Sequence, residues 1–240
     1  MSPSPSHTAI LVAHGQPSAP QPPEDALRAL ANDVGAHLPD WNVRLATLAC
    51  PGALEEVMVD GAVIYPFFMA KGWFTTKVLP DRLQGRDYVM ATPFGLDPDL
   101  PEMAAKVVRQ AQSDAGWQAD DINLLLAAHG SARGPKAAEA AVAFQTRLAP
   151  LLPGARIEPA YVEQAPGIDE IAAQLPARTL CLPFFAQSGD HVKDDIPEAL
   201  DAANFAGIVI PVMGAMKDVP QLIARAIART AVGSVSQLSE

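Results

Sequence analysis

Two stretches of this chain, 8–95 and 123–214, carry the same sequence pattern, and a repeat that long restricts the folds available. The first opens Ala9-Ile10-Leu11-Val12-Ala13-His14-Gly15 and the second Leu124-Leu125-Leu126-Ala127-Ala128-His129-Gly130, so the two histidines stand 115 residues apart. The same offset links Pro51-Gly52 to Pro166-Gly167. Tyr65-Pro66-Phe67-Phe68 answers Leu182-Pro183-Phe184-Phe185 at 117, and Gly95 and Pro101 answer Gly214 and Pro220 at 119. The drift runs one way, as short loop insertions would give. Solenoid units are far shorter, so the pattern predicts a duplicated domain. The copies part at one place, where His191 in Gly189-Asp190-His191-Val192 faces Phe74 in Gly72-Trp73-Phe74-Thr75. One copy holds a two-histidine site and the other only half of it, which puts the chemistry in the C-terminal half.

Each copy alternates short apolar runs with amphipathic stretches. In the first, strands are expected at 8–13, 42–48, 61–68 and 87–92, and helices at 23–37, 52–58, 76–84 and 100–114. In the second, strands are expected at 122–128, 155–162, 178–185 and 207–212, and helices at 135–150, 167–174, 192–203 and 218–232. Strands that are apolar on both faces and alternate with helices indicate a parallel sheet covered on both sides. The expected fold is α/β: two similar lobes, 1–116 and 117–240, each a four-stranded parallel sheet flanked by helices, related by a pseudo-twofold. Segments 1–6 and 234–237 read as frayed ends. In such sheets ligands bind outside the carboxyl ends of the strands. Both His-Gly steps and both Pro-Phe-Phe segments fall there, so His129 and His191 are expected at one edge of one sheet.

A length of 240 residues suits two domains, and 49% apolar residues suffices for two cores. Cys50 and Cys181 fall at unmatched positions, make neither a CxxC pair nor a disulfide framework, and cannot ligate an iron–sulfur cluster alone. No leader-like start and no apolar run of about 18 residues is present, so a soluble cytoplasmic protein without a membrane partner is expected. A net charge of −10 argues against nucleic acid as a partner.

His129 ends a buried strand and is followed by a glycine turn, which sets an imidazole at a cleft mouth. His191 precedes a predicted helix whose first turn suits Asp194 and Asp195 as dipole-complementing carboxylates. Asp190 either orients His191 or caps that helix. Glu163 follows the strand at 155–162 and faces the same cleft or an open loop; Leu48 is read as its counterpart in the first copy. His14 has no histidine partner, so its expected role is inherited structure or a contact to the far side of a ligand. His7, in the frayed start, and His37, at a helix end, have no site-like context. No GxxxxGK[ST], GxGxxG or GxSxG motif occurs. Ala13 and Ala128 stand where a histidine phosphatase carries its phosphate-clamping arginine, which disfavours that class.

Leu125-Leu126-Ala127-Ala128-His129-Gly130-Ser131-Ala132-Arg133, together with Leu182-Pro183-Phe184-Phe185-Ala186-Gln187-Ser188-Gly189-Asp190-His191-Val192-Lys193-Asp194-Asp195-Ile196-Pro197, resembles the sirohydrochlorin chelatases of the class II chelatase family. The repeat extends the resemblance over most of the chain. It implies insertion of Fe²⁺ or Co²⁺ into sirohydrochlorin, for siroheme or cobalamin, without ATP, at an active site between the lobes. It implies no permanently bound cofactor, the metal being a substrate. The family's two catalytic histidines fall on His129 and His191, with Glu163 a candidate third metal ligand.

The residue chemistry agrees with that implication. Neutral imidazole both ligates Fe²⁺ or Co²⁺ and accepts protons near neutral pH. Sirohydrochlorin carries eight carboxylates, so local positive charge is expected from Arg133, Lys136 and Lys193, with Lys71 and Lys77 at the matching loop. Ser131, His14, Trp73 and Phe74 are further candidate substrate contacts, and one phenylalanine of each Phe-Phe pair is expected in a core. Two histidines accept either ion, so iron and cobalt stay open, and the missing histidine-rich and cysteine-rich tails tilt only toward the siroheme branch. A monomer is expected, since two fused copies replace a symmetric dimer. The alternative is a non-catalytic tetrapyrrole or metal carrier on the same fold.

Overall fold

The computed structural model describes residues 7–118 and 123–237. β1 (His7–Ala13), β2 (Trp41–Thr47), β3 (Ala62–Pro66) and β4 (Tyr88–Met90) form a parallel sheet in the order β2-β1-β3-β4. β5 (Asn123–Ala128), β6 (Arg156–Tyr161), β7 (Thr179–Phe184) and β8 (Ile208–Val209) form a second, in the order β6-β5-β7-β8. The identical strand order is what a duplication requires. In the central strands Ile10, Leu11 and Val12, and Leu124, Leu125 and Leu126, are all 0% exposed, because helices cover both faces.

The helices are α1 (Gln21–Ala36), α2 (Ala53–Val57), α3 (Leu79–Arg82), α4 (Leu100–Asp114), α5 (Lys136–Leu148), α6 (Ile168–Ala172), α7 (Ile196–Ala202) and α8 (Val219–Gln237). Pro80, Pro101, Pro197 and Pro220 each stand second in their helix, where the missing N–H costs nothing. One face of the first sheet packs Ile10, Val12 and Ile64 against Leu54, Met58, Leu79 and Leu83 of α2 and α3 and their flanks. The corresponding face of the second packs Leu125, Ala127 and Cys181 against Ile168, Ala172, Ile196 and Leu200 of α6 and α7.

The chain divides into two compact units, 1–97 with 217–240 and 98–216. This differs from the sequence expectation of a boundary between 116 and 117. Helix α4 packs with α5 and β7, and α8 packs with α1, β3 and β4. Each copy's last helix therefore serves the sheet of the other copy. The cause is that an amphipathic helix covers whichever open sheet face its linker reaches; α4 buries Leu100, Met103, Ala104 and Val108 at helical spacing.

Other boundaries shift for local reasons. The helices expected from 76 and 192 are preceded by π-turns, Phe74–Val78 and His191–Asp195. β8 is shorter than the expected 207–212. His7 is part of β1, its ring 4.9 Å from that of Trp41, rather than in a frayed end. Residues 234–237 continue α8, while the expectation for 1–6 lies outside the described residues. Strand register corrects the repeat offset: Ala13 pairs with Thr47, and Ala128 with Tyr161, so the second strands match at 114 and the drift does not run one way.

Unit 1 has a polar feature inside its core. Asp97 is 0% exposed and its carboxylate accepts from Arg229 of α8 at 3.1 and 3.3 Å. The counterpart of Asp97 in unit 2 is Met216, so this ion pair is unit 1's own. Burial, and then the charge of Asp97, hold the Tyr65 phenol well above its ordinary range. Among the described residues no helix is long and apolar enough to cross a membrane.

Replacing Arg229 by alanine removes the cationic partner of a buried carboxylate. We expect a loss of about 2 kcal/mol in urea unfolding, less than for a fully buried pair because Arg229 is half-exposed. A second expectation concerns the thiols: burial pushes Cys181 up to about 12, whereas Cys50 is partly exposed. Titration of the native protein with a disulfide reagent at pH 8 should therefore show one reactive thiol, lost in Cys50→Ser, and a second only after denaturation.

Candidate metal centre

The centre lies in unit 2, at the carboxyl ends of three adjacent strands. β5 ends at Ala128, and His129 follows. Gly130 then reverses the chain with φ +66°, a left-handed conformation that suits glycine. A Cβ there would lie 2.8 Å from Tyr161 Cβ and 2.7 Å from Gln164 Cγ, so the position needs glycine for space as well. The β5–β6 pairing continues past the strand ends: Val162 N–H donates to Ala128 O at 3.0 Å and Glu163 N–H to His129 O at 2.9 Å. That backbone bond sets the Glu163 side chain beside His129, with Oε2 3.7 Å from Nδ1. Gln164 Oε1 accepts from Ser131 N–H at 2.8 Å, and Ser131 Oγ accepts from Arg133 N–H at 3.1 Å, which ties down the loop.

From the next strand, β7, the chain passes Phe185 and enters the π-turn at His191. The His191 ring lies edge-on to His129, centroids 4.4 Å apart at 82°. Phe185 stands 6.3 Å from one imidazole and 6.2 Å from the other, forming a common apolar wall. His129, Glu163 and His191 each offer a ligand atom within 4.8 Å of the others. His129 Nδ1 is 2.8 Å from Gly130 O. A carbonyl only accepts, so Nδ1 carries the proton and the Nε2 lone pair is available. His191 Nδ1 is 2.5 Å from Asp195 Oδ2. The three side chains are 35–43% exposed. Two imidazoles and a carboxylate suit a borderline divalent ion, and three protein ligands leave positions open for another ligand.

Unit 1 repeats the frame without the ligands. His14 Nδ1 meets Gly15 O at 2.8 Å, and the Phe74 ring stands 4.4 Å from His14 at 74°. Phe68 stacks on Phe74 at 5.8 Å and Trp73 meets it edge-on at 5.1 Å, itself 64% exposed. Ala49 N–H donates to His14 O at 2.8 Å, so the counterpart of Glu163 is Ala49 and not Leu48. With alanine and phenylalanine in two of the three ligand positions, this frame offers one imidazole. Trp73 and Phe74 open the π-turn rather than sitting in a loop.

Thus the structure brings His129, His191 and Glu163 together, with Ser131 and Arg133 on the same loop and Lys193 on the π-turn. His14, Trp73 and Phe74 form a separate aromatic cluster on unit 1. Arg133 and Lys193 are exposed, and neither makes a salt bridge among the described residues. Lys136 and Lys77 are engaged by Glu139 and Asp81 of their own helical segments. Phe67, Phe184 and Phe185 are buried. Two participants escaped the sequence reading. Gln164 carried no signal. Asp195, read as an ordinary first-turn carboxylate, hydrogen-bonds His191, a partnership its four-residue spacing allows; Asp190, the candidate for that role, makes no side-chain cap bond either.

Comparison with known proteins adds an independent line. The family model described as CbiX matches residues 123–230, the part that carries His129, Glu163 and His191. A solved structure described as CbiX, the terminal enzyme for biosynthesis of siroheme in denitrifying bacteria, superposes with a TM-score of 0.85 at 42% identity, covering 93% of this chain and 99% of that one. The chain belongs to the CbiX family of sirohydrochlorin chelatases. The same fold is found in SirB from Bacillus subtilis with Fe³⁺, which matches at TM-score 0.74 and 16% identity, over 96% of this chain and 98% of that one. A probable sirohydrochlorin cobaltochelatase of Halobacterium salinarum is 22% identical over 171 residues, 60% of this chain, and the match spans 59% of that relative's length.

The glycine turn provides a test of how the centre is built. Gly130→Ala should cost about 1–2 kcal/mol from the left-handed backbone alone and push away the β6 end that carries Glu163. Gly134→Ala, with open space around its Cβ, should be near neutral. Thermal unfolding and Co²⁺ titration of both variants check this; equal effects would mean that the turn does not set the geometry.

Proposed function

We propose that this chain inserts a divalent metal ion into sirohydrochlorin, without ATP and without a permanently bound cofactor. The observation that carries the reading is the His129–Glu163–His191 cluster, whose ligand atoms lie within 4.8 Å of one another. Insertion requires an ion to enter the ring while two pyrrole N–H protons leave. In this mechanism the Nε2 atoms of His129 and His191 and the Glu163 carboxylate hold the ion. As the ion passes to the ring nitrogens, the released imidazoles accept the protons. Glu163, 3.7 Å from His129, stabilises the imidazolium that forms. Three half-exposed ligands hold the ion weakly, which favours transfer, since tight ground-state binding would raise the barrier. Arg133 and Lys193 are proposed to meet substrate carboxylates, with Ser131, His14, Trp73 and Phe74 as further contacts.

Iron is the metal we favour. Support comes from the 42%-identical structure being described as an enzyme of siroheme biosynthesis, against 22% for the relative described as a cobaltochelatase. We also propose that the chain works as a cytoplasmic monomer, the monomer being checked by light scattering.

The test is an anaerobic absorbance time course of sirohydrochlorin with Fe²⁺ or Co²⁺. The wild type should turn over many equivalents. His129→Ala and His191→Ala should each lower kcat/KM by about 10²-fold or more, the scale of a lost general base, and Glu163→Gln by less. A spectral change limited to one equivalent would make the protein a carrier. Near-full activity in both histidine variants would overturn the assignment of the centre.

A further inference from the structure

We propose that Asp195 is a positioning residue, whose carboxylate holds the His191 proton on Nδ1 and so leaves Nε2 as the atom that meets the metal. Three observations carry this. The first is the bond itself, 2.5 Å between His191 Nδ1 and Asp195 Oδ2. The two residues stand four apart on one face of the π-turn, which Ile196 N–H closes onto His191 O, five residues back.

The second is that the carboxylate is not used elsewhere. Asp195 stands at the N-cap of α7 yet makes no side-chain cap bond, and His191 is its one salt-bridge partner among the described residues.

The third comes from unit 1, where the same backbone turn persists at Phe74–Val78, closed by Leu79 N–H to Phe74 O. There phenylalanine stands for His191, and Val78 stands for Asp195. The turn does not need the carboxylate, which is absent in the copy where the imidazole is absent. A helix-starting acid would have no reason to disappear together with a histidine. The two imidazoles of the centre are thus oriented by different acceptors, His129 by the Gly130 carbonyl and His191 by a carboxylate. A carboxylate partner makes Nε2 the stronger donor to a metal. In an unpartnered histidine side chain the Nε2–H tautomer is the favoured one, so without Asp195 the ligating lone pair would be blocked for much of the time.

The consequence for metal binding rests on the reading of His191 as a ligand; the tautomer does not. The variants are Asp195→Val, which copies the unit 1 turn and should fold, and Asp195→Asn, whose amide oxygen still accepts. Long-range ¹H–¹⁵N spectra of the full chain, above the histidine titration range, report the His191 tautomer, and Co²⁺ absorption reports affinity. We expect one Nδ1–H tautomer in wild type and Asp195→Asn, and a mixture rich in Nε2–H in Asp195→Val. Co²⁺ affinity should fall by about 10–100-fold in Asp195→Val and less in Asp195→Asn, the range for lost partners of ligating histidines. An Nδ1–H tautomer with wild-type Co²⁺ affinity in folded Asp195→Val would overturn the proposal. Should that variant not fold, Asp195→Ala decides by the same spectra, an Nε2–H-rich mixture supporting the role and an unchanged Nδ1–H tautomer overturning it. Absence of turnover by wild type would remove the chelatase reading and leave the tautomer result standing.

Discussion

The parallel pairing of β5 with β6 on one side and β7 on the other fixes where every candidate ligand lies. Parallel strands in register end together, so residues that follow them become neighbours however far apart they are in sequence. His129, Glu163 and His191 follow three such ends. The ladder even continues one step beyond them, since Glu163 N–H still pairs with His129 O. Placement is therefore a backbone property, and the ligand side chains are additions to a frame that forms without them. Unit 1 demonstrates this, with the same glycine turn, the same 4.4 Å ring spacing and the same π-turn around Phe74 in place of histidine.

Much of this was legible in the chain because the residues that shape the backbone recur in both copies. The His-Gly steps and Pro-Phe-Phe strand ends repeat, and from them follow the two parallel sheets and the meeting of His129 with His191, whereas the strand order comes from the structure. What was not legible has physical causes. A helical period does not reveal that its first turn closes five residues back, so Asp195 passed for a dipole-complementing acid. The one-residue shift between the second strands falls between two punctuated positions, and only the pairing of Ala128 with Tyr161 identifies Ala49 as the counterpart of Glu163. Helices α4 and α8 have ordinary amphipathic patterns, and such patterns state that a face is buried without saying against which sheet.

The centre itself is electrostatically open. Its three candidate ligands are each more than a third exposed, so water screens their mutual interactions and the geometry has to come from hydrogen bonds rather than from a low-dielectric pocket. Gly130 O and Asp195 supply those bonds, one from the backbone and one from a side chain. Only the second can be altered by a single substitution without touching the fold.

The helix exchange bears on why a copy stripped of its ligands persists. The unit holding the candidate metal centre is completed by α4, which is encoded in the first copy, while the first sheet relies on α8 from the second. Side chains at the matching positions of the first copy were free to differ, as Ala49 and Phe74 do. The copy itself was not free to go, because deleting it would uncover the sheet on which the remaining site is mounted. Such an arrangement is a ratchet: duplication could proceed to specialisation of one half, but no longer back to a half-length gene.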